Sequence, residues 1–392
     1  MQTLFDPERH ETLVTDRWDA GAVRDAIDAI VSDTLARSRD GFWPAHPLDD
    51  GARDHGRTLY LGAAGVLWGL SFLASEGALP KDERYSEWAL ALPEAYRVAP
   101  DTSRSVPSYF IGEAGVLLTA LRARQSTPLC DRLLSVVKSN VDNPTLEALW
   151  GAPGSALAAV FMHELTLEER WRAAYLENVR ALQNTWREHE DDGCELWTQD
   201  LYGKRRRLLG AAHGFAGNVF TLLRGAALLP ESERKHLLAR ATRSLLATAQ
   251  IDGDRANWPS DTGRERFLVQ WCHGAPGIVT SFARAPADPE LDMLLTMAAE
   301  LTWQAGPLRK GPNLCHGTAG NGAALLALFA RTGDPVWLER ARAFAMHAVR
   351  QVESARETYG QGRYGLWTGD VGVAVYLWQC LKGMSGVVSL DF

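Results

Sequence analysis

Two tripeptides carry the side chains best suited to chemistry. Cys272-His273-Gly274 and Cys315-His316-Gly317 stand 43 residues apart and offer thiolate and imidazole donors of the kind that hold zinc. The backbone that follows is alike in both, Gly274-Ala275-Pro276-Gly277 and Gly317-Thr318-Ala319-Gly320, so the two segments are expected to fold alike. Cys272, Cys315 and His316 as ligands supply three protein donors and leave the fourth corner of a tetrahedron open to a substrate. Two thiolates make such a metal soft enough to accept a third sulfur, and a thiol bound there would lose its proton near neutral pH. A buried cysteine is more often a small core residue than a ligand. The duplication of the motif is what turns the reading toward metal, and Cys130, Cys194 and Cys380 lack that setting.

A third histidine sits in the same register. His213, in Ala211-Ala212-His213-Gly214-Phe215-Ala216-Gly217, precedes its glycine as His273 and His316 precede theirs. An imidazole titrates near working pH, so His213 could give a proton to an enolate or take one from a thiol. Glu147, four residues before Gly151, either orients His213 or a substrate group or stands as a surface carboxylate, and His273 joins His213 and Glu147 as a candidate catalytic group. Lys310, five residues before Cys315, is placed to pair with a substrate carboxylate. The run Lys204-Arg205-Arg206-Arg207 either attracts a phosphate or an acidic peptide or is a solvated loop, and Trp150, Trp271 and Trp367 are expected to wall a cavity.

The elements that must position these residues show as a repeat. Gly-x-x-Gly followed by an apolar run begins at Gly62, Gly112, Gly151, Gly214, Gly274, Gly317 and Gly369, at intervals of 39 to 63 residues. Between copies lie amphipathic stretches such as Val23, Ile27, Ile30, Val31 and Leu35, whose spacing is helical. Others fall near 168–186, 231–250, 288–305 and 335–352, so about fourteen helices alternate along the chain. Glycine costs about 1 kcal/mol against alanine inside a helix, so the pairs belong at helix starts. There they would let seven helices begin close together, with free N–H groups pointing into one mouth, or, in the four copies without His or Cys, would only permit tight packing between helices. The expectation is an all-α chain and a single domain over 1–392.

Composition narrows the classes. A net charge of -7 argues against a nucleic-acid binder, and 46% hydrophobic with 23% charged residues reads as a folded globular chain. No apolar stretch reaches the ~18 residues of a membrane span, and the first ten residues are too polar for a signal peptide. Five scattered cysteines make no disulfide framework, which points to the cytoplasm and to reduced thiols that remain available as ligands.

Taken in order, Ala211-Ala212-His213-Gly214, Trp271-Cys272-His273-Gly274-Ala275-Pro276-Gly277 and Leu314-Cys315-His316-Gly317-Thr318-Ala319-Gly320-Asn321 resemble the lanthionine synthetase C-like family over nearly the full chain. The resemblance implies an α/α toroid of seven inner and seven outer helices, with zinc on Cys272, Cys315 and His316. It also implies a His213 acid/base with Glu147 near it. The implied reaction is Michael-type addition of a peptide cysteine thiol to dehydroalanine or dehydrobutyrine. Cyclases of the family often carry Tyr after the first zinc cysteine and Arg four residues before it, where this chain has His273 and Leu268, leaving Arg264 or Arg266 as substitutes for substrate binding. On these points, and at Lys310, the chain is more similar to the eukaryotic members, which bind glutathione and add it to dehydroamino acids made from phosphoserine or phosphothreonine. Nothing in the sequence resembles a kinase-like or dehydratase domain, so a separate dehydratase or kinase/lyase would supply the dehydroamino acid unless this chain also eliminates phosphate. The competing readings are a non-catalytic zinc, glutathione or peptide binder, and another α/α-toroid enzyme. The carboxylate pair that a glycoside hydrolase needs is not evident.

Overall fold

The structure, a computed structural model, describes residues 3–49, 56–60, 62–189 and 193–392. Fourteen α-helices run through them: α1 (Ala20–Ala36), α2 (Ala63–Ser75), α3 (Glu83–Val98), α4 (Glu113–Ala123), α5 (Thr127–Ser139), α6 (Ala152–Thr166), α7 (Glu169–Thr185), α8 (Phe215–Arg224), α9 (Glu231–Thr248), α10 (Ala275–Phe282), α11 (Pro289–Ala305), α12 (Thr318–Thr332), α13 (Pro335–Tyr359) and α14 (Asp370–Lys382). Three small antiparallel hairpins interrupt them: β1 (Arg187–His189) with β2 (Cys194–Leu196), β3 (Gln199–Leu201) with β4 (Lys204–Arg206), and β5 (Gln250–Asp252) with β6 (Arg255–Asn257).

Even- and odd-numbered helices differ in kind. Along α6 every residue from Ala152 to Met162 is buried, and along α12 every residue from Thr318 to Leu328 is. Neighbouring α7 buries one stripe, Trp171, Ala174, Tyr175, Asn178, Val179 and Leu182, at the 3–4 spacing of a helix with one wet face. Helices apolar all round must be enclosed by others, and half-apolar ones do the enclosing.

Each of the seven leading glycines is the N-cap of an even-numbered helix, as the repeat predicts. The reason differs from the sequence expectation of free N–H groups lining a mouth. At α8 and α12 the preceding loop folds back and spends them: Phe215, Ala216 and Gly217 donate to the carbonyls of Leu208, Leu209 and Gly210, and Thr318, Ala319 and Gly320 to those of Gly311, Pro312 and Asn313. This crossing brings backbone onto backbone. A Cβ on Gly214 would meet the Leu208 carbonyl, and one on Gly217 that of Ala211.

The chain groups into two compact units. The first comprises residues 1–8, 107–109 and 134–305, the second residues 9–106, 110–133 and 306–392. In the first, α8 packs between α6 and α10, with α7 against α6 and α11 against α10. In the second, α14 packs against α2 and α12, with α2 also against α4, α3 against α4 and α13 against α12. No helix among the described residues is long and apolar enough to cross a membrane.

Candidate functional site

The residue two before each leading glycine lies in the folded-back loop, and successive loops are stitched there. Ala212 N donates to Cys272 O at 3.4 Å in the first unit, and in the second Cys315 N donates to Trp367 O at 2.9 Å and Tyr60 N to Phe110 O at 2.8 Å. The cysteines therefore occupy equivalent, backbone-pinned positions in consecutive repeats.

In the first unit the loop carrying Cys272 is closed by a two-bond bridge between Gln270 and His273. Asn257 holds it from outside: its Oδ1 accepts from Ala275 N at 2.8 Å, and its Nδ2 donates to Leu268 O at 3.2 Å. Gly274 at φ 106 is required here, because the Leu268 carbonyl fills the space of a Cβ. The Cys272 sulfur is buried and accepts a hydrogen bond from Gln270 Nε2 at 2.9 Å. Leu268, where cyclases carry Arg, is buried core.

In the second unit the Cys315 sulfur accepts a hydrogen bond from the Tyr60 hydroxyl at 3.1 Å. A ring nitrogen of His316 lies within 4.8 Å of that sulfur. Asn313 fixes the turn by accepting from His316 N at 3.0 Å. Each sulfur thus has a neutral donor aimed at it, the support expected around a charged thiolate.

His213 and Glu147 meet in the first unit. His213 Nδ1 is 2.9 Å from Glu147 Oε2. Glu147 has no exposure at all, which rules out the surface alternative. Its Oε2 also takes Leu149 N at 3.0 Å, and its Oε1 takes Trp150 N at 2.6 Å. With three donors on one carboxylate, the histidine is held as the Nδ1–H tautomer when neutral, and Nε2 is left to exchange a proton. Burial pulls the His213 pKa down, but the Glu147 hydrogen bond and charge, helped by Cys272, outweigh it and hold the pKa above the ordinary 6.5. His273 lies beside it, ring centroids 5.9 Å apart and planes at 28°. Burial, His213 and Arg266 lower its pKa against the opposing pull of Cys272 and Asp261, so the structure favours a neutral His273 near pH 7.

The remaining candidates fall at rims. Arg266 is exposed in the first unit. Lys310, exposed in the second, lines a cavity of about 490 Å³ with Arg309, Arg350, Arg363, His347 and Asp370. Burial pushes the Asp370 carboxyl up to about 6 against the pull of Arg356. Trp271 and Trp367 are core rather than cavity wall, while Trp150 keeps an exposed face and donates to the Tyr202 hydroxyl at 3.0 Å. Sequence reading missed Gln270, Tyr60, Asn257 and Asn313. Gln270 and Asn313, each two residues before a cysteine, had a usable signal; Tyr60 and Asn257 are remote in sequence from what they hold.

Residues 53–388 match the model of a family described as "Lanthionine synthetase C-like protein". Among characterised relatives, "Glutathione S-transferase LANCL1" of Danio rerio is 29% identical over 387 residues, covering 93% of this chain and 86% of its own. "LanC-like protein GCL1" of Arabidopsis thaliana is 34% identical over 180 residues, 44% of this chain and 40% of its own. Among solved structures, nisin cyclase superposes with a TM-score of 0.64 at 15% identity, covering 94% of this chain and 96% of its own, a likeness that shows the fold.

Proposed function

The chain belongs to the lanthionine synthetase C-like family, and from that premise we propose that it forms thioethers, joining a cysteine thiol to a dehydroalanine or dehydrobutyrine residue in a zinc-dependent Michael-type addition. Cys272 of the first unit and Cys315 and His316 of the second would hold the ion. Their chemistry fits it: two sulfurs, each supported by a neutral hydrogen-bond donor, and one imidazole make a catalytic donor set with a position to spare. When bound, zinc would supply Lewis acidity that deprotonates a substrate thiol near neutral pH.

The chain's own residues account for the rest. The substrate sulfur bonds to the β-carbon of the dehydro residue as the C=C pair moves to the α-carbon and its carbonyl. That enolate needs a proton at the α-carbon. His213, whose imidazolium form Glu147 favours, would deliver it from Nε2, and the proton lost by the thiol would restore the imidazolium. His273, favoured as neutral, adds no competing cation. Lys310 and Arg266 would bind substrate carboxylates. A separate dehydratase or kinase/lyase would make the dehydroamino acid, and the cytoplasm would keep the thiols reduced.

The Glu147–His213 hydrogen bond, in register with the cysteine loops, is the observation that carries this reading. A second reading, glutathione as the thiol, is favoured by the glutathione S-transferase relative matched over 93% of this chain. The test is to incubate zinc-loaded protein with a dehydrated peptide that contains cysteine, and with a cysteine-free one plus glutathione, and to read products by mass. Ring closure supports the first reading and a glutathione adduct the second. No thioether with either, and Cys272→Ala matching wild type in metal content, would refute both.

A further inference from the structure

The first unit carries a basic rim that the proposed chemistry does not use. β3 and β4 pair through the two-residue turn Tyr202-Gly203, both at positive φ (54° and 71°), which presents the hairpin as a stiff finger. Lys204 and Arg205 on it are exposed and have no partner among the described residues. Arg206 is pinned to the buried Asp261 at 3.0 Å, and Arg207 Nε donates to Thr262 Oγ1 at 3.2 Å. Backbone bonds from Leu209 N to Ser260 O and from Thr262 N to Arg207 O, both 3.2 Å, stitch the loop carrying Arg264 and Arg266 onto the same edge. Residues 199–207 and 261–266 hold six cations against three carboxylates, a local net of +3 in a chain of net -7.

The rim adjoins the candidate catalytic pair. The Tyr202 hydroxyl takes the Trp150 indole N–H at 3.0 Å, their rings meet edge to face at 6.2 Å, and Trp150 N is itself bonded to Glu147. Through Trp150 and Glu147 the hairpin turn is thus linked by contacts to His213.

We propose that this rim is a docking strip for an acidic peptide segment, one whose Asp and Glu side chains flank the residue to be modified. Two features favour a peptide: a rigid strand edge with alternating side chains, and aromatic rings at the end of the strip nearer His213. The inference rests on the proposed function for what happens to the peptide, but its test reads binding.

The probes are fluorescein-labelled peptides with one dehydroalanine, flanked by four Asp/Glu or by the matching Asn/Gln, titrated against the full chain by anisotropy at low and high salt. The acidic peptide should bind about tenfold tighter at low salt, and the gap should close at high salt. Lys204→Ala/Arg205→Ala should abolish most of that preference, and Lys204→Glu/Arg205→Glu should turn it toward a Lys-flanked peptide, a gain that misfolding cannot produce. Equal binding of acidic and neutral peptides, full preference retained in both variants, or a single-stranded nucleic acid binding as tightly as the acidic peptide would overturn the proposal. Addition of a small thiol to free N-acetyl-dehydroalanine amide by wild type reads chemistry alone. Its failure with the peptide preference intact would remove the proposed reaction and leave the docking strip standing.

Discussion

Replacing Glu147 by Gln tests the catalytic pair at its support. The carboxylate accepts from Leu149 N, Trp150 N and His213 Nδ1 with no exposure to water. An amide has one acceptor oxygen. If that oxygen faces Leu149 and His213, the new NH₂ points at Trp150 N–H; turned over, it opposes the other two. At least one buried donor is orphaned at ~1–3 kcal/mol, and the charge-assisted bond to the imidazole falls to a neutral one, so the total loss is ~3–5 kcal/mol. At ~2 cal/mol/K of unfolding entropy per residue, a cooperative chain of 392 residues would lose ~4–6 °C of Tm.

The same substitution carries a signed pH signature. Glu147 helps raise the folded pKa of His213 above 6.5. Stability from a raised histidine pKa is fully present below the unfolded value and is lost as pH rises through the folded one. The gap between wild type and Glu147→Gln should therefore be widest below pH 6.5 and narrow on the alkaline side of the raised His213 pKa. Urea titrations across that window measure it. Thioether formation by the variant should show its alkaline limb at lower pH, because burial then acts on His213 with less opposition. Equal urea midpoints below pH 6.5, or a gap that grows toward alkaline pH, would refute the assignment.

Three further outcomes are expected. Purified protein should carry about one equivalent of zinc, and Cys272→Ala or Cys315→Ala should cut metal content and thioether yield together, as read by elemental analysis and mass. Gly274→Ala should destabilise by about 3 kcal/mol or more, because φ 106 and the Leu268 carbonyl leave a Cβ no room, whereas Gly253→Ala on the open β5–β6 turn at φ 63 should cost less; chemical denaturation of the two compares them. If residues 1–392 fold as one domain, urea unfolding followed by tryptophan fluorescence and by circular dichroism should give one coincident transition, since the chain passes back and forth between its two compact units; separate midpoints would refute that.

Much of the frame was legible because its rule is local. A glycine that starts a buried helix recurs at a fixed place relative to the residues that precede it, so His213, Cys272 and Cys315 could be put in one register from spacing alone. What spacing could not say is why glycine is needed. The cause is the preceding loop crossing its own helix start and spending the first-turn N–H groups, a contact about six residues back that no periodicity scan detects. At α8 and α12 the first-turn N–H groups are therefore not free to line a shared mouth.

Site residues divide along the same line. Glu147 was singled out by its place before a glycine, but its burial and its three donors are tertiary facts, and they decide between the open alternatives in favour of support for a histidine. Gln270 and Asn313 sit two residues before their cysteines and could have been read as loop closers. Tyr60 lies 255 residues from the sulfur it donates to and could not. Its position nonetheless obeys the repeat, two residues before Gly62, as Cys272 and Cys315 stand two before Gly274 and Gly317. The register that supplies the sulfurs thus also supplies one of their hydrogen-bond donors. Tyr60→Phe should therefore remove the hydrogen bond to the Cys315 sulfur while leaving that residue's position, pinned by the 2.9 Å backbone bond to Trp367, where it was.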